Sequence, residues 1–402
     1  MSALEQSYDR ILAGVSGPND TAGIRISATY APALGPGSKI YPPTFPVTPS
    51  KEWKRYLVDH RYDADGNPVE VVLIDSIQSQ VNRLEEALQD ALDAGDVSFP
   101  VLDLAFPFGG RTNHITNLVA PHRSVDAYFR DAELDGTEWE STSLGRELLT
   151  ATARTARPLF RQAPTDLLLG HWDSQRGTQR ARKIARAYSS EMIGMRPQIG
   201  RSAAIRIDPY EISSAVKIAV AKGAPAADWE LVGEGGKGSN PSEVNLGNVP
   251  STDDGQKPRS WVGTSVTSVE RTGFVSFAAL QRFSFPETGA PVDRDTDAAG
   301  RAVLVALALY GDRRAFASSG LFLRSGCELV LRSEDVSFLS TGEVLSPVAL
   351  GLNDARALVE LAVARAAEKG LSFGSSILLT PKKKLVDLVE ASMTRIGADE
   401  QG

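Results

Sequence analysis

A chain of 402 residues can form one large domain with insertions, or two to three small ones, and can bury a core without metal or disulfide staples. Hydrophobic residues make up 42% and charged residues 23%, an ordinary globular balance; the single cysteine, Cys327, excludes an internal disulfide and suits a reducing compartment. With a net charge of −7, any contact with nucleic acid must come from places where the 43 Lys and Arg are concentrated.

Residues 1–20 hold Glu5, Asp9 and Asp20 and no sustained apolar run, so no secretory leader is expected. The most apolar stretch, residues 302–310, is too short to span a bilayer, and a cytoplasmic protein without membrane contact is expected. Residues 24–30 alternate, with Ile24, Ile26, Ala28 and Tyr30 on one face, and predict a half-buried strand. Residues 32–52, rich in Pro and Gly with Lys39 near the middle, predict an irregular loop. Residues 69–74 predict another strand. It leads into a helix whose stripe is Ile74, Ile77, Val81, Leu84, Leu88 and Leu92, with Asp75 or Ser76 as cap and Gly95 as stop.

Residues 144–168 and 174–195 read as mainly helical, and 204–220 mix both periods. Residues 221–260 form a Gly- and Pro-rich insertion, and 264–285 look strand-rich. A buried helix over 302–310, a strand pair or long strand over 321–331, and a helix over 353–369 capped by Asn353 or Asp354 and stopped by Gly370 complete the pattern. A tail follows from 385 to 402, and Lys382, Lys383 and Lys384 read as a solvated helix start. Strands and helices are intermixed without repeats, so the class is α+β or α/β.

Little points to catalysis. His60, His114, His122 and His171 lack zinc-ligand spacing, there is no His-Glu-x-x-His, and Cys327 reads as a buried thiol. No metal or cofactor is expected. Gly233-Glu-Gly-Gly-Lys-Gly238 fits the dinucleotide pattern Gly-x-Gly-x-x-Gly. It is followed by Ser239, Asn240 and Pro241 rather than by a helix N-terminus, so a flexible loop is the better reading.

Charge says more. Arg176, Arg180, Arg182, Lys183 and Arg186 fall in a run without an acid. On a helix, Arg176, Arg180 and Lys183 would stack and repel, which an anionic partner would relieve; a solvated basic face is the even alternative. Arg196, Arg201 and Arg206 follow closely and favour a nucleic-acid backbone. In the helix after Asp75, Gln78, Ser79, Asn82 and Arg83 are polar, and Ser79, Asn82 and Arg83 share a face suited to a sugar-phosphate backbone or base edge, or simply to solvent.

Asp75-Ser-Ile-Gln-Ser-Gln-Val-Asn-Arg-Leu-Glu85 resembles the Ser-Gln…Arg helix of the repeat-associated (RAMP superfamily) backbone subunits of CRISPR complexes, specifically type I-G, formerly I-U. His122-Arg-Ser-Val-Asp-Ala-Tyr-Phe-Arg-Asp131, Leu169-Gly-His-Trp-Asp-Ser174 with Ser190-Glu191, Arg206-Ile-Asp-Pro209 and Leu321-Phe-Leu-Arg-Ser325 are similar to further segments of that family, in the same order. The resemblance spans about residues 20–370. It implies one domain over the whole chain: an α+β, RRM-like (ferredoxin-like) discontinuous palm with insertions forming fingers and thumb.

The resemblance also implies a function. Copies polymerise along one CRISPR RNA in a Cascade-type surveillance complex and hold it for pairing with target DNA. Partners would be other copies, a large subunit, a subunit capping or processing the guide end, and a recruited helicase-nuclease that does the cutting. No aspartate matching that of RNA-cleaving relatives is located, so no nuclease activity is expected. The candidate RNA-binding residues are Lys39, Gln78, Ser79, Asn82 and Arg83, then Arg176, Arg180, Arg182, Lys183 and Arg186. Arg123 and Arg130 stand behind them, in a segment that could equally be structural or an intersubunit contact. Two other functions compete: an RNA-processing nuclease using His114, His122 or His171, and a nucleotide-dependent enzyme using the 233–238 loop.

Overall fold

The computed structural model describes residues 2–45, 56–63, 65–173, 182–201, 208–213, 215–221, 227–233, 236–247, 261–348 and 350–399. The chain divides into two compact units, Met1–Pro197 with Ser265–Lys382, and Gln198–Thr264 with Lys383–Gly402.

Helix α1 (Ala3–Ser16) is fixed by a capping box between Ser2 and Glu5 and buries Tyr8, Ile11 and Val15, a spacing of three and four. Strand β1 (Thr21–Pro32) turns Ile24, Ile26, Ala28 and Tyr30 inward, as its alternation predicts. Strands β2 (Val58–Tyr62) and β3 (Pro68–Asp75) pair antiparallel. Helix α2 (Ile77–Asp93) starts at Ser76, whose Oγ accepts from Ser79 N, and stops before Gly95 at φ +72°.

Strands β4 (Leu102–Phe108) and β5 (Arg111–Thr116), helix α3 (Ala127–Arg130), and strands β6 (Ala132–Leu134) and β7 (Thr137–Glu138) come next. Residues 144–168 form three short helices, α4 (Ser143–Thr150), α5 (Arg157–Gln162) and α6 (Pro164–Leu169), because Pro158 and Pro164 each open a new first turn.

The helical reading of 174–195 is corrected. Residues 174–181 lie outside the described residues; beyond them β9 (Arg182–Ile184) pairs with β8 (His171–Asp173), and β10 (Tyr188–Met195) is a strand of the main sheet. Tyr188, Ser190, Met192 and Gly194 point inward in a period of two. The helical spacing came from the charged positions Arg176, Arg180 and Lys183, and a spacing of charges along the sequence defines no buried face.

Among the described residues, four short strands lie between β10 and the next long one: β11 (Gln198–Arg201), β12 (Ile218–Val220), β13 (Trp229–Leu231) and β14 (Trp261–Ser265), paired as β11–β14 and β12–β13. Strand β15 (Val269–Ser276) ends where Ser276 caps helix α7 (Phe277–Leu280), so the strand-rich stretch stops earlier than its composition suggests. Helix α8 (Arg294–Phe316) is buried on nearly every side.

Strands β16 (Gly320–Arg324) and β17 (Cys327–Ser340) form a hairpin, and β18 (Val344–Pro347) pairs with β17. Helix α9 (Leu352–Glu368) is capped at Gly351 rather than at Asn353 or Asp354; the Asp354 carboxylate instead accepts from Gly351 N at 3.1 Å. Strand β19 (Ile377–Pro381) closes the larger unit. Helix α10 (Lys383–Asp399) opens at the lysine cluster and occupies most of the tail.

The main sheet is antiparallel with order β16-β17-β1-β15-β10-β3-β2, β18 lying on β17. Four of its strands and two helices run β1-α2-β10-β15-α8-β17 along the chain, with sheet order β17-β1-β15-β10. Helix α2 packs against β10 and α7 against β1, and α8 meets the inward face through the hydrogen bonds of Tyr30, Tyr188 and Arg271 to Phe316 O and Asp312. A Cβ on Gly311 would come within 2.9 Å of Leu84 Cγ, so glycine sets the close approach of α8 to α2. A second sheet, β5-β4-β19-β6-β7, lies in the same unit and contains one parallel pair, β19 with β4. The class is mixed α+β.

Candidate nucleic-acid interface

The residues predicted on α2 separate into two kinds. Gln78 and Asn82 are exposed. Ser79 and Arg83 turn back onto Asp75, a carboxylate buried at the end of β3. Ser79 Oγ donates to Asp75 Oδ1 at 2.7 Å and Arg83 Nε to Oδ2 at 2.8 Å, while Arg83 Nη2 donates to Leu323 O at 3.0 Å. Gln80 Nε2 donates to Asp75 Oδ2 at 2.6 Å, and Arg324 reaches Ile74 O and Asp75 Oδ1. Asp75 thus collects four side-chain donors and ties β3, α2 and the β16–β17 hairpin together. Sequence reasoning did not single out Asp75 as a hub, Gln80 or Arg324; an Asp with polar residues four and eight positions later was the available signal.

Gln80 extends the network inward. Its Oε1 accepts from Ser190 Oγ at 2.9 Å and Arg271 Nε at 3.0 Å. Arg271 pairs with Asp312, stacks over the Phe316 ring at 3.8 Å and donates to Tyr188 Oη at 3.0 Å. Asp312 also accepts from Arg313, which holds Glu334 on β17. The Ser-Gln…Arg segment is therefore the outer end of a buried polar chain across the main sheet.

Arg123 is likewise committed. Its Nε and Nη2 grip Glu85 at 2.6 and 3.2 Å, and Nη1 donates to Gly170 O at 2.8 Å, joining α2 to the start of β8. Burial pushes the Glu85 carboxyl up to about 7, with Arg123 pulling the other way. A carboxyl raised from an unfolded value of about 4.3 favours folding while protonated and loses that contribution as pH rises through its folded value. The stability advantage of wild type over Glu85→Gln is therefore expected to shrink from about pH 5 to about pH 8, read by urea unfolding. An advantage that grows with pH would contradict the assignment.

Arg130 is exposed and pairs with its neighbour Asp131 at 2.7 Å. Lys39 is half-buried in the loop after β1. Lys183 on β9 and Arg186 just beyond it are exposed; Arg176, Arg180 and the side chain of Arg182 lie outside the described residues. Trp172, which had figured only as one letter of a motif, is exposed directly opposite Lys183, with Lys183 Nζ 5.8 Å from the ring centroid. Beside Asn82, a depression of about 420 Å³ is lined by Glu85, Glu86, Gln89, Asp90 and residues 118–121. Its carboxylates have the wrong sign for phosphate, so the exposed cations Lys183 and Arg186 and the outer flank of α2 differ in electrostatic character.

The other candidate chemistry also takes definite positions. His171 is buried and its Nδ1 lies 2.9 Å from Asp166, which also holds Ser124 N and Asn117, so the imidazole is enclosed in a structural cluster. His122 is exposed, and exposed His114 lies 2.8 Å from Asp103. Cys327 is buried, which raises its thiol to about 11. Residues 234 and 235 of the glycine-rich loop lie outside the described residues. After it comes a single 3-10 turn, Pro241–Val244, which offers no long helix N-terminus to a pyrophosphate. Among the described residues no group of three His, Cys, Asp or Glu could hold a metal, and no helix is long and apolar enough to cross a membrane.

The fold and this surface define a mixed α+β protein with a buried polar spine and an exposed aromatic-basic ribbon. Residues 24–197, somewhat under half of the chain, match the family described as CRISPR-associated protein GSU0053. That stretch runs from β1 to just past β10 and includes the Asp75 hub, the Arg123 segment and the ribbon. The match supports a CRISPR-associated protein. No curated protein matches the chain.

Proposed function

We propose that this chain is a non-catalytic backbone subunit of a type I-G CRISPR surveillance complex, coating the guide RNA and presenting it to target DNA. The observation that carries the reading is the match of residues 24–197 to a CRISPR-associated family. The path β1-α2-β10-β15-α8-β17 with strand order β17-β1-β15-β10 supports an RRM-like palm, since a β-α-β-β-α-β chain of this order is the ferredoxin-like arrangement. The stretches between α2 and β10 and between β10 and β15 then supply fingers and thumb. Exposed Lys183 and Arg186 offer phosphate contacts, whereas buried His171 is enclosed away from any substrate. Other copies of the chain, the remaining complex subunits and a recruited helicase-nuclease are its proposed partners, in the cytoplasm.

A second reading, a guide-processing nuclease, draws on the exposed His114–Asp103 pair, a geometry suited to general acid-base work. One experiment separates them. Protein purified from cells expressing the whole complex is expected to carry a discrete RNA of guide length, and the isolated chain to leave guide precursor uncut. Nucleic-acid-free protein would end the first reading, and cleavage lost on His114→Ala would establish the second.

A further inference from the structure

We propose that Trp172 is a stacking platform for one unpaired nucleobase, with Lys183 and Arg186 placed for the flanking phosphates. The inference deepens the RNA-coating reading and rests on it.

The ribbon of β8 and β9 is built to hold an indole outward. His171 and Asp173 are buried on one side of β8 and Ile184 on the same side of β9, so the two-residue period leaves Trp172 and Lys183 on the other. Trp172 is 60% exposed. Leaving so large an apolar ring in water forgoes hydrophobic stabilisation, and a ligand with a π-face would restore it. The ring is exposed on a fixed support. Asp166 holds His171, Arg123 donates to Gly170 O, and Ala187 N donates to Leu168 O at 2.8 Å. Gly170 has φ +79°, and a Cβ there would lie 2.6 Å from Ile184 O and 2.8 Å from Arg186 N, so only glycine lets the two strands meet at this root.

Lys183 supplies the second half of the recognition chemistry. It is the direct cross-strand partner of Trp172, with Nζ 5.8 Å from the ring centroid. That is close enough to bias the ammonium over the indole, and far enough to turn it to a phosphate. Arg186 is exposed three residues on. An aromatic face flanked by cations is the arrangement by which single strands are gripped without sequence preference, since every base has a π-face. Two other exposed aromatics, Trp229 and Phe322, lack this setting. Trp229, at 39% exposure, sits between exposed Asp228 and Glu230, and exposed Phe322 is paired with Glu328.

The test uses the full-length chain stripped of co-purified nucleic acid, a short single-stranded RNA, and a strand of the same length with abasic riboses. Trp172→Ala is expected to weaken binding of the base-bearing strand about tenfold, a typical effect for one lost base stack. Binding of the abasic strand should stay unchanged, and Trp172→Phe should retain most of the affinity. The melting temperature should not move, because the side chain is exposed. Equal losses on both strands would make Trp172 a backbone or fold residue and overturn the proposal. So would unchanged RNA binding with altered self-association, which would make it a protein contact. A wild-type chain that binds neither strand would instead refute the RNA-coating reading itself.

Discussion

Asp312→Ala is expected to destabilise the larger unit by about 3–5 kcal/mol, a large share of the stability of an ordinary domain. Asp312 and Arg271 are both fully buried and paired, and Arg271 has no route to water. Removing the carboxylate strands that cation, takes the acceptor from Tyr188 Oη, and removes one of the two acids that hold Arg313. Burial alone would raise the Asp312 carboxyl, but Arg271 and Arg313 outweigh it and hold the group below the usual carboxylate range. A depressed folded value means that the contribution is present above the unfolded value of about 3.9 and is lost as pH falls through the folded one. Urea unfolding near neutrality should therefore show the full loss, and the difference between wild type and variant should narrow in acid. Adding Arg271→Met to Asp312→Ala removes the stranded charge and should recover part of the stability. A double variant weaker than the single one would show that the pair is not the cause.

That spine also explains what could and could not be read from residue order. Helix α2 was legible because Val81, Leu84 and Leu88 repeat at helical spacing between a Ser cap and a Gly stop. β1 was legible because one face is buried and the other is not. β10 was misread because its outward side mixes Ser189, Glu191 and Ile193, which blurs a period of two, while the cations before it have a helical spacing. In the candidate site, Arg83 and Arg123 look like free cations along the chain. The fold delivers a carboxylate to each, Asp75 from eight residues upstream and Glu85 from another element. Glu85, brought to Arg123 by tertiary packing, leaves no local mark, and the Asp75–Arg83 spacing alone does not separate a structural arginine from a ligand-binding one. The exposure of Trp172 was hidden for the same reason, since only the pairing of β8 with β9 fixes which side it faces.

This division makes the charge-reversal experiment sharp. Changing Arg176, Arg180, Arg182, Lys183 and Arg186 together to Glu is expected to lower affinity for single-stranded RNA by about a thousandfold or more at low salt. Each phosphate contact on a single strand contributes about 0.7 to the slope of log affinity against log salt. The slope should therefore flatten by up to about 3.5 if all five touch phosphate, and by about 1.4 if only Lys183 and Arg186 do. The fold should survive, because Lys183 and Arg186 are exposed and the ribbon is held at its root by His171, Gly170 and Arg123. Arg83→Glu and Arg123→Glu are the contrasting controls. Each faces a partly or fully buried acid with a like charge, and is expected to lower stability by several kcal/mol before any effect on RNA can be read. A reversed ribbon that binds RNA with a wild-type salt slope would move the phosphate contacts elsewhere. A stable, RNA-deficient Arg83→Glu chain would return α2 to the interface.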